Sequence, residues 1–205
     1  MVASVLRVTA LSVAGACCAP LFGAIVYNES VNGDLSNIGS TPTGISVGIG
    51  SNQILGSTGR GTDNVIDRDY FTIVVPTGAV LTNVFELAGT VSAGAFAFIG
   101  LQAGNAVTVD PAGGTAVGLL GWTHYLTANA TSDVLPLMNT TANGASGFVA
   151  PLGPGPYSFW MQELSAGSYP YGFDITIAAV PEPGTCWTAA VVLAAIAALK
   201  RPRSA

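Results

Sequence analysis

The hydrophobic and polar positions divide the chain into three parts. Two uncharged apolar runs, residues 8–16 and 185–199, lie near its ends. Between them, short segments such as Phe-Thr-Ile at 71–73 alternate apolar with polar residues, and Gly, Asn, Pro and Thr separate these segments. Alternation with a period of two is typical of half-buried strands, and no helical period runs through this middle part. The pattern predicts an all-β domain, residues 25–179, with an apolar helix on each side.

Short strands separated by frequent turn signals favour an antiparallel, jelly-roll-like sandwich. The run at 95–99 is apolar on both faces and predicts a central strand of the sheet. Small polar residues at 123–146 predict a long loop with one helical turn. The predicted strands are 25–29, 44–49, 53–57, 70–75, 81–88, 93–101, 115–120, 157–164 and 171–178.

Residues 1–24 have the features of a secretory signal peptide. Arg7 gives a positive start, an apolar run follows, and Pro20 breaks any helix. Cleavage by signal peptidase is expected after Ala16 or after Ala24. A cysteine follows Ala16, so lipoprotein processing is an alternative, and a helix buried at the start of the domain is another. The leading prediction is export from the cytoplasm.

The apolar run 185–199 predicts a short transmembrane helix. Its 15 residues would extend about 22 Å as a helix, against roughly 30 Å of hydrocarbon core, and local thinning of the bilayer covers the difference. Lys200, Arg201 and Arg203 follow the run and favour the cytoplasmic side. The residues before Pro181 are therefore expected outside the membrane.

The junction between the domain and this tail carries a short motif. Residues 180–184 read Val-Pro-Glu-Pro-Gly, and the apolar run and the basic end follow. This order resembles the PEP-CTERM sorting signal of Gram-negative bacteria, with Pro181, Glu182 and Pro183 at the recognition tripeptide. The resemblance implies recognition by an exosortase, removal of the tail, and a role beside exopolysaccharide in biofilms. A permanent tail anchor needs only the apolar run and the basic end, and it stays an alternative.

Three blocks of the middle part resemble bacterial pre-peptidase C-terminal (PPC-type) domains. They are residues 67–76, which begin Asp-Arg-Asp-Tyr-Phe, residues 152–159 and residues 171–177. The resemblance implies a jelly-roll-like sandwich that aids targeting or binding and does no chemistry. Some domains of this family bind calcium. The region 104–150 is longer than the family pattern.

Charge and cysteine content exclude several functions. Residues 25–180 contain ten acidic residues and two arginines, for a net charge of −8. A surface with that charge repels phosphate backbones and anionic lipids, so nucleic acid is not an expected partner. Cys17, Cys18 and Cys186 lie in the terminal segments, so no disulfide, thiolate nucleophile or cysteine metal site is expected in the domain.

No residue pattern of the middle part indicates catalysis. His124, the single histidine, lies between aromatic residues, and Asp133 is the nearest acid in sequence to orient it as a base. Glu163 is the acid to inspect beside a tryptophan, Trp160, but residues three apart in a strand face opposite sides of the sheet. We therefore predict a protein that is not an enzyme.

Asp63, Asp67 and Asp69 form a candidate calcium site, because clustered carboxylates supply the hard oxygen ligands that Ca²⁺ takes. Asp67 and Asp69 share one face of an extended strand. Arg68 lies between them and no EF-hand loop is present. The alternative, which we favour, is that these acids solvate the strand entrance and pair with Arg68. No other cofactor is expected.

Aromatic side chains provide a candidate ligand surface, because sugar rings stack on aromatic faces. Trp122, Tyr125, Tyr169 and Tyr171 are the candidates, with Trp122 and Tyr169 as the residues to test. The alternative is that these aromatics belong to the core of the β domain.

Together these features predict an exported protein of the cell surface or extracellular matrix that passes through an inner-membrane intermediate. The expected partners are signal peptidase and exosortase during export, the inner membrane transiently, and extracellular polysaccharide. A structural or adhesive role is the leading hypothesis. A carbohydrate-binding, lectin-like module is the alternative, since a sandwich fold alone does not specify function.

Overall fold

The computed structural model describes residues 23–94 and 97–181 of the protein. The alternating apolar segments of the middle part form strands, and glycine and polar residues form the turns between them. The strands are β1 (Ala24–Asn28), β2 (Thr43–Gly44), β3 (Gly50–Arg60), β4 (Ile66–Val75), β5 (Ala79–Glu86), β6 (Phe98–Ala103), β7 (Gly121–Thr123), β8 (Gly155–Gln162) and β9 (Gly167–Ala179). The short helices are α1 (Glu29–Asn32) and α2 (Leu135–Met138), with 3₁₀ turns at Thr127–Asn129 and Ala142–Gly144.

Within the described residues, the nine strands form one curled sheet in the order β5-β9-β3-β4-β8-β6-β7. Neighbours along this order are antiparallel, whereas the short β1 and β2 pair in parallel with β3 and β4. The registered pairs between β3 and β4 are Gly59 with Asp67 and Arg60 with Ile66, next to the turn that joins the two strands. The all-β prediction is confirmed, and the sheet has two halves that meet at one hairpin.

The main core draws apolar side chains from both halves of the sheet. Phe71 of β4 and Phe159 of β8 stack with their ring centroids 4.9 Å apart and their planes 12° apart. Ile54 of β3 and Phe173 of β9 come from the other half and are also buried. Because alternate residues of each strand face this cluster, the curled sheet wraps around one apolar interior.

A second apolar cluster lies on the opposite face of β4 and β8. Tyr70 and Trp160 are the sequence neighbours of Phe71 and Phe159, so their side chains point away from the main core. The long connection between β6 and β8 covers this outer face. Its cluster members are Val107, Val109, Ala116, Leu119 and Ala145. Part of the region 104–150 thus forms a layer that buries the outer face of the sheet, whereas Tyr125, Val134, Leu135 and Met138 of the same region pack in the main core.

Gly121 shows how closely α2 approaches the sheet. A Cβ atom at Gly121 would lie 1.9 Å from the backbone oxygen of Met138, at the end of α2. Only glycine therefore permits this approach between β7 and α2.

The structure corrects three of the predicted strands. The strand at 93–101 is wrong at its start, because β6 begins at Phe98 and residues 93, 94 and 97 lie outside any strand. The strand at 115–120 is wrong, because that segment runs as a loop with Ala116 and Leu119 buried and Val117 66% exposed. The strand of this region is β7, which begins at Gly121, directly after the predicted segment. The strand at 44–49 is wrong beyond Gly44, where β2 ends. The loop predicted at 123–146 is confirmed, but it contains two 3₁₀ turns in addition to the helical turn α2.

Several predictions concern residues outside the described ranges. They are the signal segment 1–22, residues 95–96 of the apolar run, Glu182 and Pro183 of the sorting motif, the apolar helix 185–199, and Lys200, Arg201 and Arg203. Within residues 23–94 and 97–181, no helix has the length and apolar character needed to cross a membrane.

Candidate functional site

Three carboxylates converge from parts of the chain that are distant in sequence. Asp69 lies in β4, Glu29 opens α1, and Asp34 lies in the loop after α1. One carboxylate oxygen of each lies within 4.8 Å of the others. Asp69 is fully buried, Glu29 is half-buried and Asp34 is exposed. This group, called the acid cluster below, therefore leads from the interior of the domain to solvent.

The strand pattern and the backbone together position the acid cluster. Asp69 shares the inward face of β4 with Phe71, so the alternation that builds the core also buries this carboxylate. The Leu35 N–H donates to Glu29 Oε1 at 3.1 Å, and the Ser57 N–H donates to Glu29 Oε2 at 2.7 Å. Glu29 is thus held by two backbone donors while its carboxylate faces Asp69.

Burial controls the protonation of the acid cluster. The Tyr171 hydroxyl donates to Asp69 Oδ2 at 2.7 Å, and Asp69 Oδ1 is buried without a hydrogen-bond partner in the described part of the chain. Burial, reinforced by repulsion from Glu29, raises the pKa of Asp69 to about 9. Burial also raises the pKa of Glu29. Without a cation, the Asp69 carboxyl group is therefore protonated at neutral pH.

A divalent cation is the chemical alternative to that proton. Calcium takes six to eight oxygen ligands at about 2.3–2.6 Å, and carboxylates are its preferred ligands in proteins. The unpartnered, buried Oδ1 of Asp69 fits such a ligand set, because a cation would supply the contact that it lacks. Glu29, Asp34 and Asp69 are the residues that could hold the ion.

Aromatic residues form a second candidate site on the outer face of β6 and β8. The Phe98 ring lies 5.8 Å from the Trp122 ring in a stacked arrangement, and 4.7 Å from the Trp160 ring in a tilted one. The His124 ring meets the Trp122 ring at 5.5 Å, edge to face. These four rings line a cleft of about 200 Å³, called the aromatic cleft below.

Two hydrogen bonds fix the aromatic side chains at the mouth of the aromatic cleft. Trp122 Nε1–H donates to the carbonyl oxygen of Ala142 at 3.1 Å. His124 Nδ1 lies 2.9 Å from the carbonyl oxygen of Ala97, so Nδ1 is the protonated nitrogen and Nε2 is left as the second ring nitrogen. Trp122 is half-buried and His124 is exposed, so both rings border solvent.

Polar side chains complete the lining of the aromatic cleft. Gln162 is 9% exposed, and its Oε1 accepts a hydrogen bond from Arg68 Nε at 3.1 Å. Asp110 and Asn143 are exposed at the edge of the cleft. Asp110 Oδ1 accepts from the Ala112 N–H at 2.9 Å, which keeps the carboxylate in place. The aromatic cleft thus combines ring surfaces with carboxamide and carboxylate groups.

Comparison with known proteins gives no relative. No protein-family model, no curated protein and no solved structure matches the chain. The functional interpretation of the two candidate sites therefore depends on their geometry.

The structure places the predicted calcium ligands in different surroundings. Asp69 belongs to the acid cluster, but Asp67 Oδ1 accepts a hydrogen bond from Asn37 Nδ2 at 3.3 Å. Asp63 Oδ1 accepts from the Val65 N–H at 3.1 Å and caps the turn before β4. Of the three aspartates proposed from the sequence, one lies in the acid cluster.

The predicted role of Arg68 is corrected, because its guanidinium donates to Gln162 across the β4–β8 pair. Glu163 is buried, and its two carboxylate oxygens accept from the Ala93 and Ser165 N–H groups at 3.0 Å. These hydrogen bonds give both residues a structural position between strands and loops.

The predicted aromatic ligands are separated. Trp122 lines the aromatic cleft, whereas Tyr169 lies in β9, where its hydroxyl donates to the carbonyl oxygen of Ala166 at 2.9 Å. Tyr125 and Tyr171 are buried members of the main core, as the alternative hypothesis of core aromatics predicts. Trp122 and Tyr169 therefore do not share one binding surface.

The sequence does not single out Glu29, Asp34, Asp110, Gln162 or Phe98. Glu29 ends a predicted strand, and its meeting with Asp69 needs the pairing of distant segments, which no local pattern encodes. Gln162 is the one residue with a usable signal, because it follows Trp160 by two positions in a predicted strand and so shares a face with it.

Proposed function

We propose that the chain is an exported, non-enzymatic protein of the cell surface or extracellular matrix, sorted through its C-terminal segment. The observation that carries this proposal is the position of the Pro-Glu-Pro motif relative to the fold. β9 ends at Ala179, the Val180 N–H still bonds the carbonyl oxygen of Gly78 at 2.8 Å, and Pro181 is exposed. The motif begins where the last strand ends, which supports its recognition by an enzyme.

The chemistry of proline supports the same interpretation. Pro181 has no N–H with which to extend the strand ladder, and it holds the residue before it in an extended conformation. An enzyme that cleaves peptides must bind its substrate extended and free of the fold. The described members of the main core all precede Val180, so removal of the tail leaves them in place.

The proposal assigns transient partners to the terminal segments. Signal peptidase removes residues 1–24 or fewer, and the apolar segment 185–199 holds the precursor in the inner membrane. The basic residues Lys200, Arg201 and Arg203 keep the end of the tail on the cytoplasmic side. An exosortase then cuts at the motif and delivers the domain to the envelope or matrix.

We propose further that the two halves of the curled sheet form a jelly-roll-like sandwich. The β5-β9-β3 half and the β4-β8-β6-β7 half contribute to one main core and are linked by the β3–β4 hairpin. Two sheets that share one apolar interior are the layer arrangement expected for a sandwich.

The proposed role is structural or adhesive, in association with exopolysaccharide. The net charge of −8 over residues 25–180 is unsuited to phosphate-rich partners. One specific observation favours the second candidate function, a carbohydrate-binding module: the aromatic cleft presents ring surfaces beside polar groups.

Replacing Pro181, Glu182 and Pro183 with alanine tests the proposed sorting. We expect the variant precursor to accumulate in the inner-membrane fraction, because the enzyme loses its recognition motif, while the native protein reaches the surface or medium. Fractionation of the producing cells followed by immunoblotting measures this distribution. Pro154→Ala, at an exposed proline within the domain, is the control and should leave it unchanged. Normal delivery of the triple variant would refute motif-dependent sorting.

A further inference from the structure

The aromatic cleft is built by elements that have no part in sorting. β6, β7 and β8 supply Phe98, Trp122 and Trp160, and the connection between β6 and β8 supplies Asp110 and Asn143. This connection buries much of the outer face of the sheet, including Trp160, but leaves Phe98 and Trp122 partly exposed at one place. An opening beside aromatic rings in an otherwise closely packed layer is typical of a binding site.

The lining determines the chemistry of a ligand for the aromatic cleft. Aromatic ring surfaces pack against the apolar C–H face of a saturated sugar ring. Carboxamide and carboxylate groups beside them accept and donate hydrogen bonds, which suits a ligand that is rich in hydroxyl groups. Within residues 23–94 and 97–181, the hydrogen bond of the Gln162 side chain is the one that its Oε1 accepts from Arg68 Nε, and its Nε2–H group has no acceptor there. It is therefore available to a ligand hydroxyl, and so is the second carboxylate oxygen of Asp110.

Charge narrows the ligand class further. Asp110 is the charged residue among the described lining residues, and none of them is Lys or Arg. The domain around the aromatic cleft is strongly acidic. An anionic ligand such as a uronate, a sulfated sugar or a nucleotide would be repelled, whereas a neutral saccharide carries no such penalty.

We propose that the aromatic cleft binds a neutral saccharide, with one pyranose ring packed against the Trp122 indole and its hydroxyl groups bonded to Gln162 and Asp110. The inference deepens the proposed surface role and rests on it for the source of the saccharide, a neutral extracellular polysaccharide. The volume of about 200 Å³ accommodates one sugar ring of a longer chain. The aromatic cleft therefore holds one residue of the polymer at a time.

Isothermal titration of the full-length chain, kept in a detergent without a sugar head group, tests the inference. The probes are cellohexaose, chitohexaose, mannohexaose and isomaltohexaose, with polygalacturonate and adenosine as the anionic and the aromatic comparison. We expect at least one neutral hexasaccharide to bind, and to quench tryptophan fluorescence, more strongly than either comparison compound. Trp122→Ala is expected to weaken that binding by about tenfold or more, the loss typical of a central aromatic contact. Trp122→Phe should retain part of it.

Tyr169→Ala is the matched control, because Tyr169 lies in β9 outside the aromatic cleft. It should bind the hexasaccharide like the native chain. If Trp122→Ala fails to fold, Thr115→Met replaces it, since Thr115 is exposed and a longer apolar side chain there fills the aromatic cleft. The inference is overturned by no binding of any neutral hexasaccharide, by preference for polygalacturonate or adenosine, or by loss of binding in Tyr169→Ala alone. Each of these results leaves the sorting proposal intact, because sorting is measured by cell fractionation.

Discussion

Asp69→Asn is expected to make the calcium-free protein more stable than the native protein at pH 8, and equally stable below pH 4. The pKa of Asp69 rises from 3.8 to about 9 on folding, chiefly because the carboxyl group is buried. The folded state then keeps a proton that the unfolded chain has already released. Stability contributed by this group is complete below pH 3.8 and is lost as the pH rises toward 9. Asparagine keeps the shape of the neutral carboxyl group and has no proton to lose.

The size of this effect follows from proton linkage. Each pH unit between the unfolded and folded pKa values changes the free energy of unfolding by about 1.4 kcal/mol for one proton. Urea unfolding in the presence of a chelator, repeated from pH 4 to pH 8, measures it. The native protein should lose stability steeply with rising pH. Asp69→Asn should lose less. The slope that remains is assigned to Glu86, whose pKa burial raises to about 7, and to Glu29 and Asp67, whose pKa values burial also raises.

Asp63→Asn is the control for this experiment. Asp63 is exposed, and its Oδ1 caps the Val65 N–H, which asparagine can also do. We expect its pH profile to follow that of the native protein. Identical profiles for Asp69→Asn and the native protein would contradict the raised pKa of Asp69.

Calcium provides a second measurement on the same variant. Millimolar Ca²⁺ should displace the proton and raise the melting temperature of the native protein at pH 8, since a ligand that binds only the folded state stabilises it. Asp69→Asn should respond less, because one carboxylate of the acid cluster is gone. Equal melting temperatures with calcium and with chelator would remove the metal from this site.

Phe159→Ala is expected to lower the free energy of unfolding by about 3–5 kcal/mol, the usual cost of removing a buried phenylalanine ring. Phe159 is fully buried in β8, between β4 and β6, and stacks on Phe71. Alanine would leave a cavity at the centre of the main core, and the paired strands on both sides prevent the structure from collapsing into it. Chemical unfolding at constant pH measures the loss.

Val74→Ala is the matched control for the core variant. Val74 lies in β4 and is 57% exposed, on the face opposite Phe71 and Ile73. Substitutions at such exposed positions usually change the free energy of unfolding by less than about 0.5 kcal/mol. Equal losses in the two variants would contradict the assignment of inward and outward faces in this half of the sheet.

Local patterns in the sequence predict the strands but not the way in which they meet. β4, β8 and β9 lie where alternation or apolar character predicts them, because those signals reside in adjacent residues. The strand at 115–120 fails because Ala116 and Leu119 are buried individually against the outer face of the sheet instead of pairing in a strand ladder. Alternation cannot distinguish these two ways of burying a side chain.

The candidate sites are still harder to predict, because they need contacts between distant residues. The sequence predicts Asp69 as a calcium ligand. Its partner Glu29, however, lies forty positions earlier and is brought to it by the pairing of β1 with β3. Trp122 is predicted as a ligand residue because its side chain is aromatic. Phe98 and Trp160 lie beside it only because the strands pair in the order β8-β6-β7. The composition of each candidate site is therefore determined by the order of distant strands in the sheet, and no single residue indicates it.

Intact-mass spectrometry of the protein recovered from the surface or medium of the producing cells tests the central claim most directly. The account predicts a chain that begins after Ala16 or Ala24 and ends within or just after the Pro-Glu-Pro motif, without the apolar segment 185–199. A recovered chain that still ends at Ala205 would contradict it.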